Sequence, residues 1–221
     1  MRKPDFYYWM DHQKAAERQH AEIARLTGVG QGRMLEFFSG DGAYLKYFQD
    51  RGWECLGVES DARLAEIAML ENAVPTLQGT PMEVNFPRES YDLVRIRGAL
   101  CCCDAPKALL EMAFQATAPT GYLVAETWNG SGAPACPRAG RPQNRFNRRE
   151  LRERVRKAGY EVGGVIAPAM GDSIWAPYAS LRGGANGAAI PARTRRILDG
   201  LLGIIDRGSL LVVFAQRPPH Q

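Results

Sequence analysis

Short apolar runs alternate along the chain with longer segments whose apolar positions recur at helical spacing. That alternation predicts a parallel sheet flanked by helices. The first run, Met34-Leu35-Glu36-Phe37-Phe38, reads as a strand ending on Ser39-Gly40-Asp41-Gly42. A helix is then predicted from Ala43 to Asp50, with Tyr44, Leu45, Tyr47 and Phe48 on its apolar side and Gly52 as terminator. Cys55 to Val58 is the second strand, and Asp61 caps a helix carrying Leu64, Ile67, Ala68 and Met69. Strands follow near Pro75 to Leu77, at Tyr91 to Arg97 and at Gly121 to Trp128. Between the last two, Asp104 is expected to cap a helix running to Thr117 and packed through Leu109, Leu110, Met112, Ala113 and Phe114. Asn147 with Glu150 resembles a capping box opening a helix to Ala158, stopped by Gly159. Tyr160 to Ile166 and Ser209 to Gln216 are the remaining strands, and residues 5 to 26 form an N-terminal helical arm. The fold class expected is α/β, a Rossmann-like three-layer sandwich on a mostly parallel seven-stranded sheet with its last strand antiparallel.

Composition narrows this picture. The 221 residues are 45% hydrophobic and 24% charged, which excludes a disordered or collagen-like chain. A chain of this length buries roughly 70% of its unfolded surface, so it needs no disulfide or metal staple. Five cysteines with no C-x-x-C spacing indicate neither a secreted disulfide framework nor a zinc ribbon. Met1 to Met10 lacks the apolar core of a signal peptide, and the apolar stretch from Ile197 to Phe214 is broken by Asp199, Asp206 and Arg207. A soluble, cytoplasmic protein with no membrane contact is expected. The net charge of +4 is uneven: residues 138 to 157 hold nine basic groups against Glu150 and Glu153, so the rest of the chain is slightly acidic.

The candidate chemistry begins at the turn after the first strand. Glycines there allow a sharp reversal and close approach of a ligand, and the following helix start offers N–H groups. Gly40 and Gly42 fit the first two glycines of a dinucleotide fingerprint, but the third falls on Leu45. Glu36, near the strand's end, repels a pyrophosphate and suits an ammonium. Glu59 closes the second strand, where an acceptor-only carboxylate can take both hydroxyls of a ribose. Two acids flanking a glycine turn ask for a nucleoside bearing an amino acid, which is the chemistry of S-adenosylmethionine.

On these residues the chain resembles the class I S-adenosylmethionine-dependent methyltransferases of the small-molecule type. The resembling segments are Met34 to Gly42, Gly57-Val58-Glu59-Ser60, Ser90 to Arg95, Pro119 to Val124, and Phe146-Asn147-Arg148-Arg149-Glu150-Leu151 leading to Ala158-Gly159-Tyr160. The resemblance covers residues 34 to 165 and implies S-adenosyl-L-methionine as cofactor, with S-adenosyl-L-homocysteine as product. It implies that Glu36 and the turn of Phe38, Ser39, Gly40 and Gly42 line the methionine part. Glu59 and Ser60 would lie at the ribose, Thr80 and Pro81 at adenine, and Arg97 and Gly98 would form the floor after the fourth strand. It further implies one domain: an arm (1–32), a cofactor-binding half (33–128) and a C-terminal half with insertions (129–221). Three departures stand out. Phe38 replaces the family's first turn glycine, Thr80 an acid often near the adenine amine, and Cys101-Cys102 a Glu-His pair, which removes a ready general base.

The remaining features have alternative readings. Cys101, Cys102 and Cys103 form either a metal or redox site or a set of packing thiols. Three adjacent side chains do not converge on one ion, which favours packing. The Arg-rich helix presents Leu151, Val155 and Ala158 on one face and arginines on another, the pattern of a solvated surface helix. A nucleic-acid contact through residues 138 to 157 is the alternative, but no interleaved aromatics support base stacking. Tyr7, Tyr8 and Trp9 either anchor the arm or close over the cofactor. His12 and His20 read as solvated groups, with a base role as the alternative. No paired-acid cluster of the magnesium type is present in the sequence, so no metal is implied. Methyl transfer to an O or N atom of a small molecule, by in-line displacement, is the expected activity. A non-catalytic cofactor-binding protein and an RNA methyltransferase are the alternatives. Trp128, Trp175 and Tyr178 suit an apolar or aromatic acceptor, in a pocket that includes Pro168 to Pro191. No catalytic residue and no oligomeric state is assigned.

Overall fold

The computed structural model describes residues 6–130, 144–166 and 210–219. Trp175, Tyr178, the Pro168 to Pro191 insertion and most of the loop after Trp128 lie outside those residues, as do the side chains of Tyr7, Tyr8, Trp9 and His12. Helix α1 (Phe6–Thr27) precedes β1 (Arg33–Phe37), α2 (Ala43–Gln49), β2 (Glu54–Glu59), α3 (Ala62–Leu70) and β3 (Thr76–Gln78). Then come β4 (Tyr91–Arg97), α4 (Pro106–Ala116), β5 (Thr117–Trp128), α5 (Arg148–Lys157), β6 (Glu161–Ile166) and β7 (Leu210–Gln216).

The strands make one seven-stranded sheet in the order β3-β2-β1-β4-β5-β7-β6. Pairing is parallel from β3 through β5, and β7 runs antiparallel to both β5 and β6. The expected seven-stranded, mostly parallel sheet with an antiparallel last strand is therefore present. The order reverses between β1 and β4, which puts the ligand crevice of such a sheet at their carboxyl ends.

Alternation along each strand sends side chains to opposite layers. Leu35, Phe37, Val94, Ile96, Leu123 and Ala125 face a layer containing Leu109, Leu110 and Ala113 of α4 and Leu151 and Val155 of α5. Met34, Leu93 and Val124 face the other layer, with Ala16 and Ile23 of α1 and Tyr44, Leu45 and Phe48 of α2. Full burial of a Leu or Phe in these layers contributes on the order of 2–3 kcal/mol.

Local signals account for most of the boundaries. Asp61 caps α3, its carboxylate accepting from the Arg63 and Leu64 amides at 2.9 and 3.2 Å. Asn147 and Glu150 form the reciprocal capping box of α5. Asp104 does not cap α4. Pro106 stands in the first turn, where it supplies a helical φ and has no N–H to satisfy, so the helix starts there with Ala105 as cap. Strand β5 begins at Thr117, four residues earlier than Gly121, because α4 passes into it directly and Tyr91 of β4 pairs with Thr117. His20 is not solvated: its ring meets those of Tyr47, Phe48 and Trp53 edge-on at centroid distances of 5.3 to 6.4 Å.

The turn that opens α2 is fixed by one glycine. Gly42 has φ 75°, and a Cβ there would stand 2.9 Å from the Ala68 Cβ of α3. Gly42→Ala combines a left-handed alanine with overpacking, and a loss of about 2–4 kcal/mol is expected. Chemical denaturation checks this, and an unchanged midpoint would contradict it.

Candidate functional site

At the carboxyl edge of β1, β4 and β5, four charged side chains are buried together on the α1–α2 side of the sheet. Glu36 of β1 and Arg95 of β4 are cross-strand partners with no exposed side-chain surface. The Arg95 Nη1 donates to Glu36 Oε1 at 3.2 Å, and its Nη2 lies 3.4 Å from Glu126 Oε1 of β5. Arg97, one alternation nearer the edge, places its Nε 3.5 Å from the same Glu36 oxygen. Two acids and two bases balance, which is what makes such burial tolerable, since an unpaired ion here would cost several kcal/mol.

Side chains from the helices complete the cluster. Gln19 of α1 accepts from Arg95 and from the Tyr44 hydroxyl, and donates to Glu126. The Tyr44 ring lies under the Arg95 guanidinium at 3.8 Å and under that of Arg97 at 5.3 Å. Burial raises the Tyr44 phenol above its ordinary range, so it remains a donor to Gln19. Burial also raises the Glu36 carboxyl, opposed by Arg97 and Arg95 and reinforced by Glu126 and Glu59. Glu36 Oε2 is buried and accepts no hydrogen bond from the described residues.

The glycine turn lies beside this cluster. Phe38 adopts φ 60°, a left-handed conformation where the resemblance expects glycine, and its ring packs against the α4–α5 core. Packing thus offsets a backbone cost of roughly 1–2 kcal/mol. Gly40 follows at φ 65° and donates its N–H to Glu59 Oε2 at 2.7 Å. The other Glu59 oxygen accepts from the Asp61 amide at 2.9 Å, with the Ser60 hydroxyl at 3.4 Å. Oε2 keeps a second lone pair, while Oε1 already takes both the Asp61 amide and the longer Ser60 contact, so Glu59 ties the turn to β2 and retains acceptor capacity on one oxygen. The Ala43 amide at the start of α2 is taken by Asp41 Oδ1 at 3.1 Å, so that N–H is not available to a ligand. Arg97 Nη2 approaches the Ser39 carbonyl at 3.4 Å, and Gly98 follows it at φ 66°.

Thr80 and Pro81 sit beyond β3, one edge of the sheet away. The Thr80 hydroxyl and amide both go to Glu83 Oε2, at 2.8 and 3.0 Å, and these bonds lower the Glu83 carboxyl. An acid therefore stands in that loop, three residues after the position where the resemblance expects one. The cysteine loop is held from the other side: Asn144 donates to the carbonyls of Cys103 at 2.7 Å and Leu100 at 3.4 Å. Cys101 packs with the α1–α2 layer and Cys103 with the α4–α5 layer, so the run straddles the sheet and does not converge on one point.

The family profile described as a methyltransferase domain matches residues 8–163. The chain belongs to the S-adenosylmethionine-dependent methyltransferases of class I. Solved members share its fold at low identity. A Thermotoga maritima S-adenosylmethionine-dependent methyltransferase superposes with TM-score 0.61 at 19% identity, over 96% of this chain and 93% of its own. A Haloferax volcanii complex of a methyltransferase with the Trm112 activator gives 0.64 at 18%, over 98% and 97%. A Haemonchus contortus phosphoethanolamine N-methyltransferase holding S-adenosylmethionine gives 0.63 at 16%, over 91% of this chain and 52% of that one. No curated protein matches the sequence.

S-adenosyl-L-methionine is the cofactor of this methyltransferase, and the residues at the edge fit it. Glu36 Oε2 and the Ser39 hydroxyl are buried without hydrogen-bond partners among the described residues, beside a turn where Gly40 presents no Cβ. An ammonium donor would satisfy the first, and glycine backbone permits the close approach. The cofactor-binding residues expected from the sequence fall into two groups. Glu36, Phe38, Ser39, Gly40, Gly42, Glu59, Ser60, Arg97 and Gly98 come together at the ends of β1, β2 and β4, while Thr80 and Pro81 follow β3. Sequence reasoning did not find Arg95, Glu126, Gln19, Tyr44 or Glu83. The available signal was Arg95 and Arg97 alternating with Val94 and Ile96 in a strand that has matching acids on both neighbours.

Burial pushes the Cys55 thiol up to about 12 and that of Cys103 up to about 11. A raised thiol pKa means less thiolate at a given pH, so at pH 8 Cys103 holds roughly one part in a thousand as thiolate. Iodoacetamide is expected to label both far more slowly than a free cysteine in peptide-resolved mass spectrometry. Labelling of Cys103 at the free rate would contradict its burial.

Proposed function

We propose that this methyltransferase transfers the cofactor's methyl group to an O or N atom of a small molecule, with the cofactor held by residues 33–128 and the acceptor side completed by residues 129–221. The observation that carries the reading is the pair of buried carboxylates, Glu36 and Glu59, on either side of the Ser39–Gly42 turn. S-adenosylmethionine, when bound, supplies a sulfonium-activated methyl. Glu36 receives the ammonium of its methionine part, and Glu59 receives the ribose hydroxyls, one on the free lone pair of Oε2 and one in place of the Ser60 hydroxyl on Oε1. Pro81 and the Thr80–Glu83 turn border adenine. Trp128 is buried at the end of β5, and Gln19 is seated on the charge cluster. Positioning and water exclusion account for the acceleration, with no obligate base.

A small acceptor is favoured over RNA because the basic helix α5 belongs to the opposite layer from α1 and α2. Its arginines are also interspersed with acids, Arg149 lying 4.0 Å from Glu153. The phosphoethanolamine N-methyltransferase among the solved neighbours agrees with a small acceptor.

Titration calorimetry tests the cofactor site. Wild type is expected to bind S-adenosylmethionine and S-adenosylhomocysteine, and Glu59→Gln to bind both about 10- to 100-fold more weakly. Absence of binding to wild type, or full binding by Glu59→Gln, would overturn the assignment. Methyl transfer to small amines and phenols, measured beside total RNA, tests the acceptor class. Transfer to RNA alone, with steep salt dependence, would reverse it.

A further inference from the structure

We propose that Cys101 and Cys102, in the loop after β4, form a two-sulfur site that chelates a monosubstituted trivalent arsenical. The inference does not depend on the acceptor proposed above. The Sγ atoms of these adjacent residues lie 3.4 Å apart. Both pack against the α1–α2 layer, Cys101 fully buried and Cys102 half-buried, so the pair is reached through Cys102. Cys103 turns to the α4–α5 layer, where its thiol donates to the Leu100 carbonyl at 3.7 Å. Two sulfurs of the run thus converge, and the third does not.

The separation selects the chemistry. Bonds from thiolate sulfur to a borderline-soft ion are about 2.3 Å long. Across sulfurs 3.4 Å apart, two such bonds meet at about 95°. Trivalent arsenic carries a lone pair and takes a pyramid with angles close to a right angle, so it fits. A linear two-coordinate ion would need the sulfurs about 4.6 Å apart, and tetrahedral zinc about 3.8 Å apart with two further ligands. A disulfide fits worse. Its sulfurs stand at about 2.05 Å and its Cα atoms usually at about 4.4–6.8 Å, against about 3.8 Å for adjacent residues.

The backbone around the pair is already fixed. The Cys102 and Cys103 amides both donate to the Ala99 carbonyl, at 2.9 and 3.0 Å, and the Asn144 amide donates to the Cys101 carbonyl at 3.1 Å. Little ordering cost therefore remains, and once one As–S bond has formed the second closes within the same loop at high effective concentration. With an arsine oxide, R–As=O, the reaction balances without a redox partner. Two S–H bonds and the As=O bond break, two As–S bonds form, and the oxygen leaves as water with both protons. Arsenic stays trivalent.

Native mass spectrometry of the reduced full chain with phenylarsine oxide, in an excess of the monothiol glutathione, tests this. Wild type is expected to hold one arsenical per chain and to release it to a dithiol, dithiothreitol. Cys102→Ser is expected to lose the adduct, while Cys103→Ser and Cys136→Ser keep it as wild type does. Cys101→Ala is expected to lose it too, with circular dichroism confirming a folded chain. Should that variant not fold, the pairing is read from Cys55→Ala, Cys103→Ser and Cys136→Ser, retention in all three leaving Cys101 as the partner of Cys102. A wild type without an adduct overturns the inference. So does an adduct that survives Cys102→Ser or a folded Cys101→Ala, or one lost on Cys55→Ala, Cys103→Ser or Cys136→Ser, since another pair then holds the arsenic.

Discussion

Arg95 is a fully buried guanidinium in the middle of the sheet, and its need for partners organises the elements around it. Removing a guanidinium from water costs several kcal/mol even after relaxation, and only close, hydrogen-bonded counter-charges offset it. Those come from β1 as Glu36, from β5 as Glu126 and from α1 as Gln19, while Tyr44 of α2 supplies a ring face. Four elements distant in sequence are thereby tied to one atom group. A well-packed apolar residue in its place could be as stable, so the cluster is better understood as a device for position and specificity than as a source of net stability.

Position matters because the cluster sits directly under the site. Glu36 is held by Arg95 through one oxygen, which leaves the other buried and without a hydrogen bond from the described residues. The same Gln19 that closes the cluster docks α1 onto the sheet, bonding Glu126 of β5 and Tyr44 of α2. Phe38 shows a further local conflict resolved by tertiary packing: its left-handed backbone persists because the ring is held by the core on the other layer.

Features set by neighbours in sequence were legible before the structure. The glycine turn, the Asp61 cap and the Asn147–Glu150 capping box all depend on residues within a few places of one another, and each stands where the pattern put it. Glu36 and Glu59 were legible because their strand-end context is local. What was not legible depends on distance. Nothing near Arg95 in the sequence marks it as a buried ion, because its partners are Glu36, 59 positions away, and Glu126, 31 positions away. His20 reads as a surface group until the aromatic side of α2 is packed against it. Asp104 was outweighed by Pro106, a case of two start signals competing within three residues, in which the fixed φ of proline prevailed.

We propose that a buried, self-neutralised charge cluster presents Glu36 to the methionine end of the cofactor while Glu59 takes the ribose. A crystal structure of the S-adenosylhomocysteine complex tests it most directly. The expected complex has the amino nitrogen in hydrogen-bond contact with Glu36, the ribose hydroxyls on Glu59, and Arg95 still bound to Glu126 and Gln19. A ligand seated with its amino group away from Glu36, or a complex in which Arg95 has left the cluster, would contradict it.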